Sequence, residues 1–312
     1  MTISILRTAE GWWVRNAARA ARIDTAATTT RELLSDREAI DAATGGADTL
    51  PVDGLRLLSP VTAPCRVVAQ MTNFASHAKD TGVDPKTVPL AFFRKASGSI
   101  SGPFDDVVKP GHIRFLDYEV EIGLVIGRDM AVGATITDAN LSDYVAGLVV
   151  TNDVSAREVQ LTKTQFYEAK SYPTFTPVGP ALVLLDADEL KRFSELRLRL
   201  QVNGEVRQDA TVDGDMIYRP LQALQALAQF QQLGAGDLVL TGTPVGTALS
   251  APPKPVEKLG ALLAPATKWR VFFRRQANNP RYLHDGDLIE ASVATDDKSI
   301  DLGVQRTVVR FA

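Results

Sequence analysis

The chain is short of the residues that most often build metal and redox sites. Its 312 residues include one cysteine, Cys65, and three histidines, His77, His112 and His284. A single thiol excludes an internal disulfide and every Cys-x-x-Cys zinc or redox motif, and it favours a reducing compartment. Three scattered histidines argue against a histidine-built metal site, so any metal here would be held by oxygen. There is no basic excess: 34 Lys and Arg face 37 Asp and Glu, a net charge of −3. That balance argues against a nucleic-acid binder. No apolar run approaches the ~18 residues of a membrane span. Arg7 and Glu10 fall where a signal peptide needs an apolar core, so a cytoplasmic protein with no membrane partner is expected. Gly-x-Ser-x-Gly, the P-loop, His-Glu-x-x-His and Gly-x-Gly-x-x-Gly are all missing. Their absence disfavours an α/β-hydrolase, a kinase, a zinc peptidase and a dinucleotide enzyme.

What is present reads as an α+β, β-dominated protein. Residues 1–60 form a small N-terminal α/β module, with β-rich stretches at 2–7 and 11–15. Thr29-x-x-Glu32 is a capping box for a helix over about 30–43 that buries Leu33, Leu34 and Ile40 and stops at Gly45-Gly46. Residues 61–312 form the main domain, with strands expected at 66–70, 90–94, 116–127, 144–151, 196–202, 237–241, 287–294 and 303–311. Asn203-Gly204 between two strand-like runs is a hairpin signal. Pro220 opens a helix that Gly234 ends. Residues 251–281 stand apart as an insertion, with Lys254, Lys258, Lys268, Arg270, Arg274, Arg275 and Arg281 against Glu257, and Trp269, Phe272 and Phe273 among them. Two readings remain open: a solvated loop with one short strand, or a lid or dimer arm whose charge draws in an anionic substrate.

The chemistry concentrates in Asp117-Tyr-Glu-Val-Glu121. In a strand, Asp117, Glu119 and Glu121 share one face, about 6–7 Å apart, while Tyr118, Val120, Ile122, Leu124 and Ile126 enter a core. A row of carboxylates repels itself unless water screens it or a hard divalent cation binds it. Spacing alone leaves both open. Asp153 lies at a strand end, where site residues are usually presented. Just after it, Ser155-x-x-Glu158 reads as a second capping box, with Arg157 and Gln160 on one helix face. His77 and Asp80, three apart, would pair on one helical turn as a general-base dyad.

In order, Asp117-Tyr-Glu-Val-Glu121, Asn152-Asp-Val-Ser-Ala-Arg157 with Gln160, Lys170-Ser with Pro177-x-Gly-Pro180, Val202-Asn-Gly-Glu205 and Gly236-Asp-Leu-Val-Leu-Thr-Gly-Thr-Pro244 resemble the fumarylacetoacetate hydrolase superfamily. The resemblance implies that family's mixed β-sandwich-like roll and a homodimer. It implies Mg²⁺, Mn²⁺ or Ca²⁺ on Glu119, Glu121 and Asp153, with Asp117 in support. Lys170 would bind substrate oxygens near the metal, Arg157, Gln160 and Thr243 would contact substrate, and His77 would be the catalytic histidine, oriented by Asp80. Three departures concern substrate choice. Asp80 stands where the family usually has Glu, Met71-Thr-Asn73-Phe74 replaces Gly-x-Asn-Tyr, and the 251–281 insertion is longer than usual.

The expected activity is hydrolysis of a carbon–carbon bond in a 1,3-dioxo, acylpyruvate-like acid from aromatic or related catabolism. The alternatives are decarboxylation, isomerisation or hydration through the same enolate, or a catalytically weak protein that binds oxo acids.

Overall fold

In a computed structural model of the chain, which describes residues 2–46, 49–163, 165–251 and 264–312, the alternating apolar run after Glu119 forms the strand Val120–Ile126 at the centre of a ten-stranded sheet. It pairs antiparallel with Val145–Asn152 on one side and Leu238–Leu240 on the other. Val67–Gln70 and Phe92–Lys95 extend the sheet beyond Leu238–Leu240. Leu182–Leu184 follows Val145–Asn152, and then come the N-terminal strands Ile3–Thr8, Gly11–Asn16, Arg19–Arg22 and Thr49–Pro51. The N-terminal module is thus no separate layer. Ile3, Ser4 and Ile5 pair directly with Leu184, Val183 and Leu182.

A five-stranded sheet, in the order Glu205–Thr211, Arg197–Val202, Leu288–Ala294, Asp301–Phe311 and Val107–Lys109, packs on one face of the first. The shared core contains Tyr118, Val120, Ile122, Leu124 and Ile126, the set expected from alternation, together with Leu198, Leu200, Ile289 and Val293 from the second sheet. The opposite face carries Trp12, Val125, Val149 and Leu238 and is covered by Leu33 and Ile40. The architecture is a mixed α+β, strand-rich fold, with no closed barrel among the described residues. No described helix is long and apolar enough to cross a membrane.

Several local expectations are met. The Thr29/Glu32 capping box is formed, and Asn203-Gly204 turns the hairpin with φ of 53° and 79°. Others are corrected. The first helix is two, Thr30–Ser35 and Arg37–Thr44, with Asp36 between them. Helix Pro220–Leu227 stops well before Gly234. Ser155 caps nothing: it lies in a short strand paired with Asp117, and Glu158 accepts the backbone N–H groups of Arg114 and Phe115 instead. In the insertion, the described part is a helix, Pro265–Gln276, not a strand. Residues 252–263, with Lys254, Glu257 and Lys258, lie outside the described residues.

Candidate active site

Antiparallel pairing sets the start of one strand beside the end of its neighbour. Val120 pairs with Asn152, so Glu119 and Glu121 meet Asp153, whose N–H donates to the Glu119 carbonyl at 2.8 Å. The chain leaving Leu240 turns over the same spot. There the Gly242 N–H donates to Glu121 Oε2 at 2.7 Å. Gly242 has φ of +83°, and a Cβ there would lie 2.8 Å from the Asn73 Cβ, so only glycine brings the backbone this close. Carboxylate oxygens of Glu119, Glu121 and Asp153 lie within 4.8 Å of one another, and all three residues are buried.

Asp117 departs from the row that strand alternation predicts. The strand is interrupted at Tyr118 and Glu119, and Asp117 turns away to accept from the Ala248 and Leu249 N–H groups at 2.8 and 3.0 Å. It also pairs with Arg157, whose Nε donates at 2.7 Å. Arg157 reaches Glu119 Oε1 at 2.6 Å and donates to Gln160 Oε1 at 2.7 Å. Its guanidinium is therefore engaged by three side chains within the protein while it also lines the cavity described below. Thr243 is likewise committed. Its hydroxyl donates to the Val120 carbonyl at 2.9 Å and accepts from Gln208 at 2.8 Å.

Lys170 Nζ bridges Glu119 Oε2 at 2.7 Å and Asp153 Oδ2 at 2.6 Å. A second buried lysine, Lys95, pairs with the other oxygen of Asp153 and donates to the Phe175 carbonyl at 2.9 Å. Sequence reading missed Lys95. Its only signal is its place at the end of the strand Phe92–Lys95, and a lone lysine there looks like any surface cation.

Four buried carboxylates thus face three buried cations. The imbalance falls on Glu121, which burial, then Asp153 and Glu119, push well above the usual carboxylate range. Glu119 is buried too, but Lys170, Arg157 and His77 outweigh that cost and hold it at about 2. Lys170 is raised despite burial, by Asp153 and Glu119. Burial lowers Lys95 against the attraction of Asp153. A hard divalent cation suits this donor set: three carboxylates converge and carry negative charge that the surrounding cations do not cancel.

The cluster opens into a cavity of about 1250 Å³ lined also by His77, Gln160 and Thr243. His77, on the helix Ala75–Asp80, has its Nδ1 buried with no hydrogen-bond partner. The expected dyad is not formed in this structure, since Asp80 acts on the imidazole only as a more distant negative charge. Burial dominates and lowers the His77 pKa, which favours the neutral ring. His112 bonds the Tyr172 hydroxyl at 3.0 Å, outside the cluster.

A strand-rich fold that gathers three buried carboxylates and two lysines beneath one cavity makes an oxygen donor set that could hold a divalent metal. The chain belongs to the fumarylacetoacetate hydrolase family: residues 66–310 match the description Fumarylacetoacetate (FAA) hydrolase C-terminal. It is 36% identical over 213 residues to the human oxaloacetate tautomerase FAHD2A, mitochondrial; the match covers 68% of this chain and 66% of that one, just under two thirds of its length. A probable 2-hydroxyhepta-2,4-diene-1,7-dioate isomerase from Mycobacterium abscessus is similar in structure, with TM-score 0.74, 30% identity and coverage of 100% and 99% of the two chains. Maleylpyruvate hydrolase from Sphingobium sp. SYK-6, solved with manganese(II) and pyruvate, shares the fold at TM-score 0.70, 23% identity and full coverage of both chains.

Proposed function

We propose that the protein is a divalent-metal-dependent enzyme that hydrolyses a carbon–carbon bond in a 1,3-dioxo, acylpyruvate-like acid. The observation that carries this reading is the convergence of Glu119, Glu121 and Asp153 with Lys170 beneath a cavity that also holds a buried, unpartnered imidazole nitrogen. Glu119, Glu121 and Asp153 would hold Mg²⁺, Mn²⁺ or Ca²⁺, which when bound polarises the oxo group as a Lewis acid. Neutral His77 accepts a proton from water as the water oxygen attacks the distal carbonyl. The bond between that carbonyl carbon and the central methylene then breaks. Its electron pair passes to the 2-oxo fragment, giving a carboxylic acid and a 2-oxo-acid enolate. Lys170 Nζ faces the developing negative oxygen as a charge-assisted donor. The His77 imidazolium returns the proton to carbon. Arg157 positions Glu119 from behind while Asp117 anchors Arg157.

A second reading, tautomerisation or isomerisation of an oxo acid through the same enolate, is favoured by one observation: His77 and Asp80 share no hydrogen bond, and a proton shuttle depends less than water activation on an oriented base. It also agrees with the similarity to oxaloacetate tautomerases.

Ultraviolet decay of enolised acetylpyruvate, with pyruvate assayed in parallel, separates the two. Metal-dependent decay with stoichiometric pyruvate is the expected result. Interconversion of keto and enol forms without pyruvate would replace hydrolysis by the second reading. Lys170→Met is expected to cut either rate by at least about 10²-fold.

A further inference from the structure

The cavity of about 1250 Å³ has room for about 40 waters and exceeds the ~300–1,000 Å³ of most small-molecule pockets. Much of the lining beyond the carboxylates and lysines is aromatic: Phe93 lies beside the site lysine, its ring centroid 5.6 Å from Lys170 Nζ, whereas Trp269 and Phe272 come from a helix with no part in the mechanism above. Phe93 and Phe166 meet edge to face at 5.5 Å. Trp269 and Phe272, from the helix Pro265–Gln276, meet at 5.9 Å and 86°.

That helix is fixed in place. Trp269 stacks on Phe273 at 5.6 Å, and Phe273 stacks on Phe115 at 5.7 Å. Phe273 is buried with Phe115, Ala248 and Tyr282, and Phe115 lies directly before the carboxylate strand. Trp269 and Phe272 are left half-buried on the cavity wall. Rigid aromatic faces of this kind pair well with another ring, by offset or edge-to-face contact. Lys268 and Arg275 also line the wall, with Lys268 Nζ 5.8 Å from the Trp269 ring centroid, so the wall favours a neutral or acidic ring over a cationic one.

We infer that the helix Pro265–Gln276 forms a distal subsite for an aromatic ring, so that the preferred ligand is an oxo acid with an aryl tail, the aroylpyruvate class, and not a small aliphatic acid. The reacting end of that ligand rests on the reading given under Proposed function and adjoins Phe93 and Phe166; the tail rests on Trp269 and Phe272.

The test compares two acids that lack the second carbonyl and cannot be cleaved, 2-oxo-4-phenylbutanoate and 2-oxobutanoate. Their binding to the full chain with Mg²⁺ is measured by calorimetry and by tryptophan fluorescence. The phenyl acid is expected to bind at least about tenfold more tightly. In Trp269→Ala the ratio of the two Kd values should fall to near one, and in Phe272→Leu it should fall part of the way, with the thermal unfolding of each variant recorded to confirm folding. Equal binding of the two acids to the wild type overturns the subsite, as does an unchanged ratio in whichever variant folds. Because neither acid is turned over, the result is separate from the hydrolase reading. A phenyl preference without acetylpyruvate cleavage leaves the subsite standing, whereas acetylpyruvate cleavage without a phenyl preference removes the subsite alone. Binding of neither acid, in protein that binds Mg²⁺, refutes both.

Discussion

Lys95 shows what a single residue carries here. It is buried against Asp153, so replacing it leaves one carboxylate oxygen without its cation in a low-dielectric site. Lys95→Met is expected to lower unfolding free energy by about 3–5 kcal/mol in urea titrations without metal. A loss under about 1 kcal/mol would mean that water reaches Asp153. Cys65 makes a different demand. Burial, then Asp237, pushes its thiol up to about 12 from an ordinary 9.0. The folded state therefore keeps a proton that the unfolded state releases. That contribution is whole below about pH 9 and is lost as pH rises toward 12, with a slope of up to about 1.4 kcal/mol per pH unit. Urea unfolding at pH 8 and pH 10.5 should show a smaller alkaline loss in Cys65→Ala than in the wild type. At this scale the metal-type carboxylates were legible, because Glu119 and Glu121 keep their spacing whatever surrounds them. The His77–Asp80 hydrogen bond and the pairing of Arg157 with Asp117 were not legible for one reason: side-chain partners depend on the folded surroundings, and Asp117 lies 40 residues from Arg157.

Among the elements, strands were easier to read than helices. Val120–Ile126 and the Asn203-Gly204 hairpin follow from alternation and turn chemistry. The Ser155 capping box failed because tertiary structure took Glu158 for the backbone at Arg114 and Phe115. The helix Pro265–Gln276 was masked by Lys268, Arg270, Arg274 and Arg275, which leave too few apolar residues to mark a stripe. Close strand packing gives the element-scale prediction. A Cβ on Gly147 would lie 2.3 Å from the Val183 carbonyl oxygen, so Gly147→Ala forces backbone apart in the pairing of Val145–Asn152 with Leu182–Leu184. The expected cost is about 1–3 kcal/mol or more, read as a lowered Tm. An unchanged Tm would show that the two strands separate without loss.

For the whole molecule, a buried cluster whose carboxylates outnumber its cations is a brake on stability that a bound cation releases. Mg²⁺ or Mn²⁺ at 100 times its Kd should add about 2.7 kcal/mol and raise Tm. Asp153→Asn should abolish the metal-induced rise. A rise that survives in that variant would place the ion elsewhere. The resemblance and the alternating runs made the family region over residues 66–310 legible, but not the sheet that unites it with the N-terminal strands. That union depends on pairing between Ile5 and Leu182, which no local pattern announces.

The same pairing fixes a schedule for synthesis. Ile3–Thr8 leaves the ribosome long before Leu182–Leu184, and Val67–Gln70 waits for Leu238–Leu240. Until then the sheet to which Trp12 and Trp13 belong is incomplete. At ~5–20 residues per second the nascent chain carries unmatched strand edges for roughly ten seconds or more, an interval in which those edges are open to pairing with other chains.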